Sequence, residues 1–265
     1  MLRTVTERGA DALAALYHRT RRTPVIGPAM VRAIEARTGN RGWIETRVRA
    51  GPLRGMTLHI DPRVQADVIL GAYERRLSRH VASLLGAGET AFDVGSHLGY
   101  FGILMATVVG ASGSVVCFEP DPRLVGALEE NVERNRSLMP AKVTIARLAV
   151  GATGGTTSFS TGGHSTRGRL SEDGDVEVEV STLDGVVARF GSPRFVKVDV
   201  EGGELDVLEG APELLAARTT SFGIEIHSAA LGESCRRLLE AEGYRCDVIR
   251  EGGRSETFLL ADPPP

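Results

Sequence analysis

Seven short apolar runs, at 90–94, 114–119, 142–150, 194–200, 221–227, 244–249 and 255–260, alternate with helix-length stretches at 98–109, 122–136, 203–217 and 229–242. No other feature constrains the chain as strongly. Strands joined through helices with short connections lie parallel, because each crossover returns the chain to the same end of the sheet, and the helices then cover both faces. The last two runs break the rhythm. Only a short segment containing Glu251-Gly252-Gly253-Arg254 separates them, which predicts a hairpin and one antiparallel strand in an otherwise parallel sheet. The expected fold is α/β: a Rossmann-like, seven-stranded, mostly parallel sheet, its last strand antiparallel, with helices on both faces.

Residues 1–88 precede this pattern and are expected to form an N-terminal helical and hairpin extension, a lid or an oligomerisation element. Leu2, Val5, Leu13, Leu16 and Tyr17 give 2–19 a partial helical stripe, and 29–37 reads as a second helix stopped by Gly39-Asn40. Two strand-like pieces, 43–49 and 56–60, flank Gly51-Pro52 and Gly55 as a hairpin, and 63–85 reads as helical. Within the main domain, 89–265, the segment 151–182 is rich in Gly, Ser and Thr and is expected to be an inserted loop with a hairpin strand.

Composition narrows the function. The chain is 42% hydrophobic and 25% charged, which fits one sizeable globular core. Residues 1–50 hold ten arginines against four acids, yet the whole carries a net charge of -3. That balance argues against a general nucleic-acid binder. Three cysteines without metal or CxxC spacing fit a reducing compartment. No apolar run has the length of a membrane span and no signal-peptide core is present, so a cytoplasmic protein without a transmembrane segment is expected.

The segment Asp93-Val94-Gly95-Ser96-His97-Leu98-Gly99-Tyr100-Phe101-Gly102 ends the first strand and enters a helix. Its spacing, G-x-x-x-G-x-x-G, puts His97 where a dinucleotide fingerprint needs its second glycine, so a pyrophosphate is disfavoured there. Asp93 would repel a diphosphate and suits a cationic ligand carrying an ammonium. Glu119 follows Gly95 by 24 residues at the end of the second strand, where an acid accepts hydrogen bonds from both ribose hydroxyls. Pro120 and Pro122 fix the following turn, and Asp121 can cap the next helix.

These motifs, together with the helix containing Asn131 and Asn135, Val196-Lys197-Val198-Asp199-Val200-Glu201-Gly202-Gly203-Glu204, and Gly71-Ala72-Tyr73-Glu74 upstream, resemble the FkbM-type class I S-adenosylmethionine-dependent methyltransferases. The resemblance covers about residues 55–262; Gly203, where the family often has Ala, is a small departure. It implies that 89–265 is an S-adenosylmethionine-binding methyltransferase domain, with acceptor specificity in the N-terminal segment and the insertion. It also implies that Asp93, Gly95, Ser96 and Gly99 hold the methionine part, that Glu119 and Pro120 meet the ribose, and that Leu148-Ala149-Val150 forms the adenine wall. Tyr73 and Tyr100 are expected to close over the cofactor.

Residues two apart in a strand share a face, so Asp199 pairs with Glu201 and Glu225 with His227 at one rim of the crevice. His227, with an imidazole pKa near neutral, is the expected general base; Asp199 contacts the cofactor amine or orients the acceptor, and Glu201 binds an acceptor hydroxyl. Asp199, Glu201, Glu225 and His227 could instead hold Mg²⁺ or another divalent cation, and Glu201 could simply cap the next helix. Lys197 reads as a buried ion-pair partner. His164, Arg167 and Arg169 form either an acceptor clamp or a solvated loop. The expected activity is O-methylation of a small hydroxylated acceptor, a sugar or a polyketide- or glycoside-type metabolite. The rivals are a nicotinamide-dependent oxidoreductase, disfavoured by His97 and by the lack of a Tyr-x-x-x-Lys pair, and a non-catalytic binding module. A homo-oligomer through the N-terminal extension is a further expectation.

Overall fold

The computed structural model describes residues 43–71, 73–161, 168–171, 173–250 and 257–265, and the backbone alone at 62–64 and 66. The stretches 2–19 and 29–37, His164, Arg167 and the connection at 251–254 lie outside the described residues. The chain enters as an antiparallel hairpin, β1 (Ile44–Arg47) and β2 (Thr57–Ile60), followed by α1 (Pro62–Ile69) and α2 (Arg75–Leu84). The helical run expected at 63–85 is thus split between Ile69 and Arg75. Next come β3 (Thr90–Val94), α3 (Tyr100–Val109), β4 (Ser114–Phe118), α4 (Pro122–Arg134) and β5 (Lys142–Ala146).

The strand expected at 142–150 is two strands. After β5 the chain turns away, and β6 (Ala149–Val150) joins β7 (Gly155–Ser160), β8 (Arg169–Leu170) and β9 (Val176–Ser181) in a separate four-stranded sheet of order β6-β9-β7-β8. The insertion is therefore more than a loop with a hairpin strand. Phe159, Val178 and Val180 bury themselves with Ala149 as its own small core, as the alternating Val176–Val180 pattern allows. A helix that the periodicity did not mark, α5 (Leu183–Phe190), follows, with Thr182 accepting from the Gly185 N–H as its N-cap. The remainder is β10 (Phe195–Val198), α6 (Glu204–Glu209), α7 (Pro212–Ala217), β11 (Ser221–Glu225), α8 (Ala229–Ala241), β12 (Arg245–Arg250) and β13 (Thr257–Asp262).

The main sheet has seven strands in the order β12-β13-β11-β10-β3-β4-β5. β13 is antiparallel to both neighbours, β11 and β12, and the inner pairs are parallel, as the missing crossover helix required. Alternation along the strands separates two apolar layers. Ala91, Val115, Cys117 and Phe195 face the layer shared with the hairpin, α2 and α3, while Phe92, Val116, Phe118, Val196 and Val198 face the layer shared with the helices after β9. Phe92, Phe118, Phe195, Phe222 and Phe258 are fully buried, each contributing on the order of 1.5–3 kcal/mol.

The hairpin docks through two amides. Asn135 accepts from the Thr57 N–H (2.9 Å) and donates to its carbonyl (2.8 Å); Asn131 accepts from the His59 N–H (2.6 Å) and donates to its carbonyl (3.2 Å). A helical i, i+4 step spans about 6 Å and two strand residues about 6.6 Å, so α4 serves β2 as a substitute strand. Asn131 also donates to the Leu98 carbonyl (3.0 Å), which ties the hairpin to the turn after β3.

Candidate active site

The carboxyl ends of β3, β4, β10 and β11 open into a cleft of about 940 Å³. Leu58, Ile60 and Tyr73 close it from the N-terminal side, and Phe159 and Arg169 of the insertion from another. Of the expected site residues, Tyr73, Asp93, Gly95, Ser96, Tyr100, Glu119, Pro120, Ala149, Asp199, Glu201 and Glu225 line it. Gly99 does not. It stands at φ 85°, and a Cβ there would press 2.5 Å from Leu128 Cδ1, so this glycine serves packing against α4. Gly95, at φ 78°, is required because a Cβ would overlap the Asp199 carbonyl oxygen: β3 and β10 touch at that point.

The turn after β3 satisfies its own backbone. The N–H groups of Gly95 and Ser96 both donate to the Phe118 carbonyl (3.0 Å each), that of His97 to Glu119 Oε2 (2.7 Å), and that of Gly99 to the Ser96 carbonyl (2.7 Å). These four N–H groups form no open phosphate cradle, so the turn offers a pyrophosphate no donors from them. Asp93 Oδ2 accepts from the Gly102 N–H at the start of α3 (2.9 Å). Burial pushes the Asp93 carboxyl above its usual range, against the pull of Lys197 and of that N–H. Burial likewise raises Glu119 to about 7, although the N–H groups of Asp121 (2.9 Å, to Oε1) and His97 favour its charged form. His97 is held neutral by burial, its pKa lowered to about 4. Asp121 caps α4 as expected, accepting from the Arg123 N–H (2.9 Å). Tyr73 and Tyr100 meet edge to face at 4.9 Å.

At the other end the side chains pair with one another, with Glu204 Oε2 left without a partner. Lys197 Nζ lies 2.9 Å from Asp199 Oδ2. Burial alone would discharge the lysine, but Asp199, Asp93, Glu74 and Glu225 keep it firmly protonated. His227, outside the lining itself, aims Nε2 at Glu201 Oε2 (3.2 Å), Asp199 Oδ1 (3.7 Å) and Glu225 Oε1 (4.0 Å), while Nδ1 lies 2.8 Å from Oε1 of the fully buried Glu204. Burial would favour neutral imidazole, yet the bonds to Glu201 and Glu204 and the charges of Asp199 and Glu204 outweigh it and raise its pKa to about 10. This corrects the near-neutral titration expected of His227: at pH 7 the ring holds its proton. Glu201 is not the cap of α6; Glu204 takes the Gly202 N–H (2.9 Å) instead. Asp199, Glu201 and His227 present ligand atoms within 4.8 Å of one another, a set able to hold a cation. Among the described non-glycine residues, Glu74, His97, Glu201 and Arg218 have positive φ, and the first three line the cleft. Backbone strain thus gathers at the site.

Sequence reasoning missed two acids here, Glu74 and Glu204. Glu204 was legible only as the end of a motif, and Glu74 only as its neighbour Tyr73's companion. No helix among the described residues is long and apolar enough to cross a membrane.

The profile described as the methyltransferase FkbM domain matches residues 93–246. The hexuronic acid methyltransferase AglP of Haloferax volcanii is 29% identical over 177 residues, 65% of this chain and 70% of that protein. A protein-L-isoaspartate O-methyltransferase of Caenorhabditis elegans is 45% identical over 53 residues, 20% of this chain and 24% of that protein. Among solved structures, the methyltransferase FkbM from Methylobacillus flagellatus superposes with a TM-score of 0.55 at 16% identity, over 73% of this chain. This chain spans about half of that structure (51%).

Proposed function

The chain belongs to the FkbM methyltransferase family, and from that premise we propose that it transfers a methyl group from S-adenosylmethionine to an oxygen of a small sugar-type acceptor. The observation that carries the reading is the charge of the cleft. Asp93, Glu119, Asp199, Glu201 and Glu225 line it, Lys197 is already bound to Asp199, and the four turn N–H groups are engaged. Such a site repels a diphosphate and attracts a cation, which sets a nicotinamide dinucleotide aside. The residues fit the donor: Glu119 for the ribose, Leu148 and Ala149 for the base, and the Asp93 side for the methionine part. When bound, S-adenosylmethionine supplies an electrophilic methyl group on a sulfonium.

The chain's own residues orient the acceptor and take its proton. Methylating a hydroxyl forms an O–C bond, breaks the donor's S–C bond to leave a neutral thioether, and releases one proton, which Glu201 and Asp199 are placed to receive beside His227. His227 positions these carboxylates as a charged donor, and becomes a base once another cation stands near Nε2 and lowers its proton affinity. The likeness to a hexuronic acid methyltransferase favours a sugar over a polyketide acceptor. In this reading, the described part of the N-terminal extension acts as a lid, since Leu58, Ile60 and Asp61 wall the cleft. The test is methyl transfer from labelled S-adenosylmethionine to a panel of hydroxylated sugars and uronic acids. Labelled ether on a sugar supports the proposal; label on none of them, with the donor bound, refutes the acceptor class.

A second reading rests on the 4.8 Å grouping: a divalent cation held by Asp199, Glu201 and His227, with Glu204 fixing Nδ1 as a carboxylate behind a ligating histidine does. It would acidify a coordinated hydroxyl. Full activity after exhaustive chelation removes this reading and leaves the proton relay.

A further inference from the structure

Two buried carboxylates in the cleft each leave one oxygen without a partner: Asp93 Oδ1 and Glu74 Oε2. Both residues are 1% exposed and both line the cavity. Native proteins pair nearly all such atoms, so two orphans in one cleft mark the place of a missing donor. We infer that Glu74, with Asp93, receives the α-ammonium of the methyl donor; this rests on the reading of the cleft as a donor site.

The placement of Glu74 is imposed. Its backbone is left-handed, φ 39° and ψ 50°, at the start of α2, where its carbonyl accepts from the Ser78 N–H (2.8 Å). The preceding Gly71, at φ 65°, lies so close to Ala50 and Gly51 that a Cβ would overlap their backbone. The hairpin therefore clamps the turn and directs Glu74 into the cleft. Lys197 is the register partner of Asp93 on the adjacent strand, and its charge acts on both Glu74 and Asp93. Its ammonium is bound to Asp199, and Glu225 adds a further negative charge. Burial pushes the Glu74 carboxyl up as it does that of Asp93, against the pull of Lys197, so neither has partners enough to hold its charge, and a cation with several N–H donors and no acceptor completes them. An ammonium has three such donors, whereas an acceptor hydroxyl has one.

The test compares S-adenosylhomocysteine, which keeps the ammonium and has a neutral sulfur, with its deaminated analogue, by calorimetry on the full chain. Wild-type protein is expected to bind the deaminated compound about tenfold or more weakly. Glu74→Gln, similar in size, is expected to lose about tenfold for S-adenosylhomocysteine and less than about twofold for the analogue. Equal wild-type affinity for the two compounds overturns the assignment, and needs no variant that must fold. A Glu74→Gln protein that binds S-adenosylhomocysteine normally overturns it too, as does one that loses both ligands alike, which would mark a structural role. A raised acceptor KM with donor binding unchanged would place Glu74 on the acceptor instead. Wild-type protein that binds neither nucleoside refutes the donor reading of the cleft itself, and this inference with it.

Discussion

The two ends of the cleft are built by opposite means. At the β3–β4 end the main chain sets the geometry: glycine conformations, four engaged N–H groups of which that of His97 holds Glu119, and the Asp121 N–H as the second backbone donor to Glu119. At the β10–β11 end the side chains set it: Lys197, Asp199, Glu201, Glu204 and His227 compensate one another's charge. The first arrangement is a fixed receptor with few protonation choices. The second is a network whose proton positions depend on every member, as a site that moves a proton requires. Gly95 packed on the Asp199 carbonyl joins the two.

This contrast predicts which property each substitution affects. The largest effect is expected from His227→Ala, which should lower turnover about 10²–10⁴-fold while donor affinity changes less than about twofold. Its thermal midpoint should also fall, because Glu204 loses the partner of a fully buried carboxylate. Equal losses in turnover and donor affinity, measured by kinetics and calorimetry together, would erase the division between the ends. Glu119→Ala is expected to do the reverse, weakening the donor about 10–100-fold with kcat little changed at saturation.

The Glu119 carboxyl also gives a pH signature. With its pKa raised to about 7, the ionised form that accepts ribose hydroxyls is lost as pH falls. At pH 6 about one-tenth is ionised, so donor affinity should drop about tenfold between pH 8 and pH 6. The same rise means that the folded state binds the extra proton between about 4.5 and 7, so this group's contribution to stability declines as pH rises through that window. A flat affinity profile, or an identical slope in Glu119→Gln, would contradict the assignment. The smallest effect is expected where α4 holds the hairpin: Asn135→Ala should cost about 1–3 kcal/mol in urea unfolding, by stranding the Thr57 N–H and carbonyl. No change would mean that β2 does not depend on the amide ladder.

The fold was legible because its cause is periodic. Alternating strands and helices, and the missing crossover before β13, follow from apolar spacing alone. The small sheet of the insertion was less legible, since β6 and β8 are two residues each and gain meaning only from their neighbours. α5 escaped because the valine-rich stretch before it reads as strand and its own apolar face is short. At the site, Asp93, Glu119 and the pairing of Asp199 and Glu201 with His227 were readable from strand ends. The charge on His227 was not. It depends on Glu204, 23 residues earlier, folding back beneath Nδ1. Glu74 was hidden for a similar reason, because its burial comes from the hairpin that pins Gly71.

The most direct test is calorimetric titration of the full chain with S-adenosylmethionine, S-adenosylhomocysteine and oxidised nicotinamide dinucleotide at one salt concentration and pH 8. One site for each sulfur nucleoside and no heat from the dinucleotide is the predicted outcome. Saturable binding of the dinucleotide, displaced by neither sulfur compound, would contradict the account.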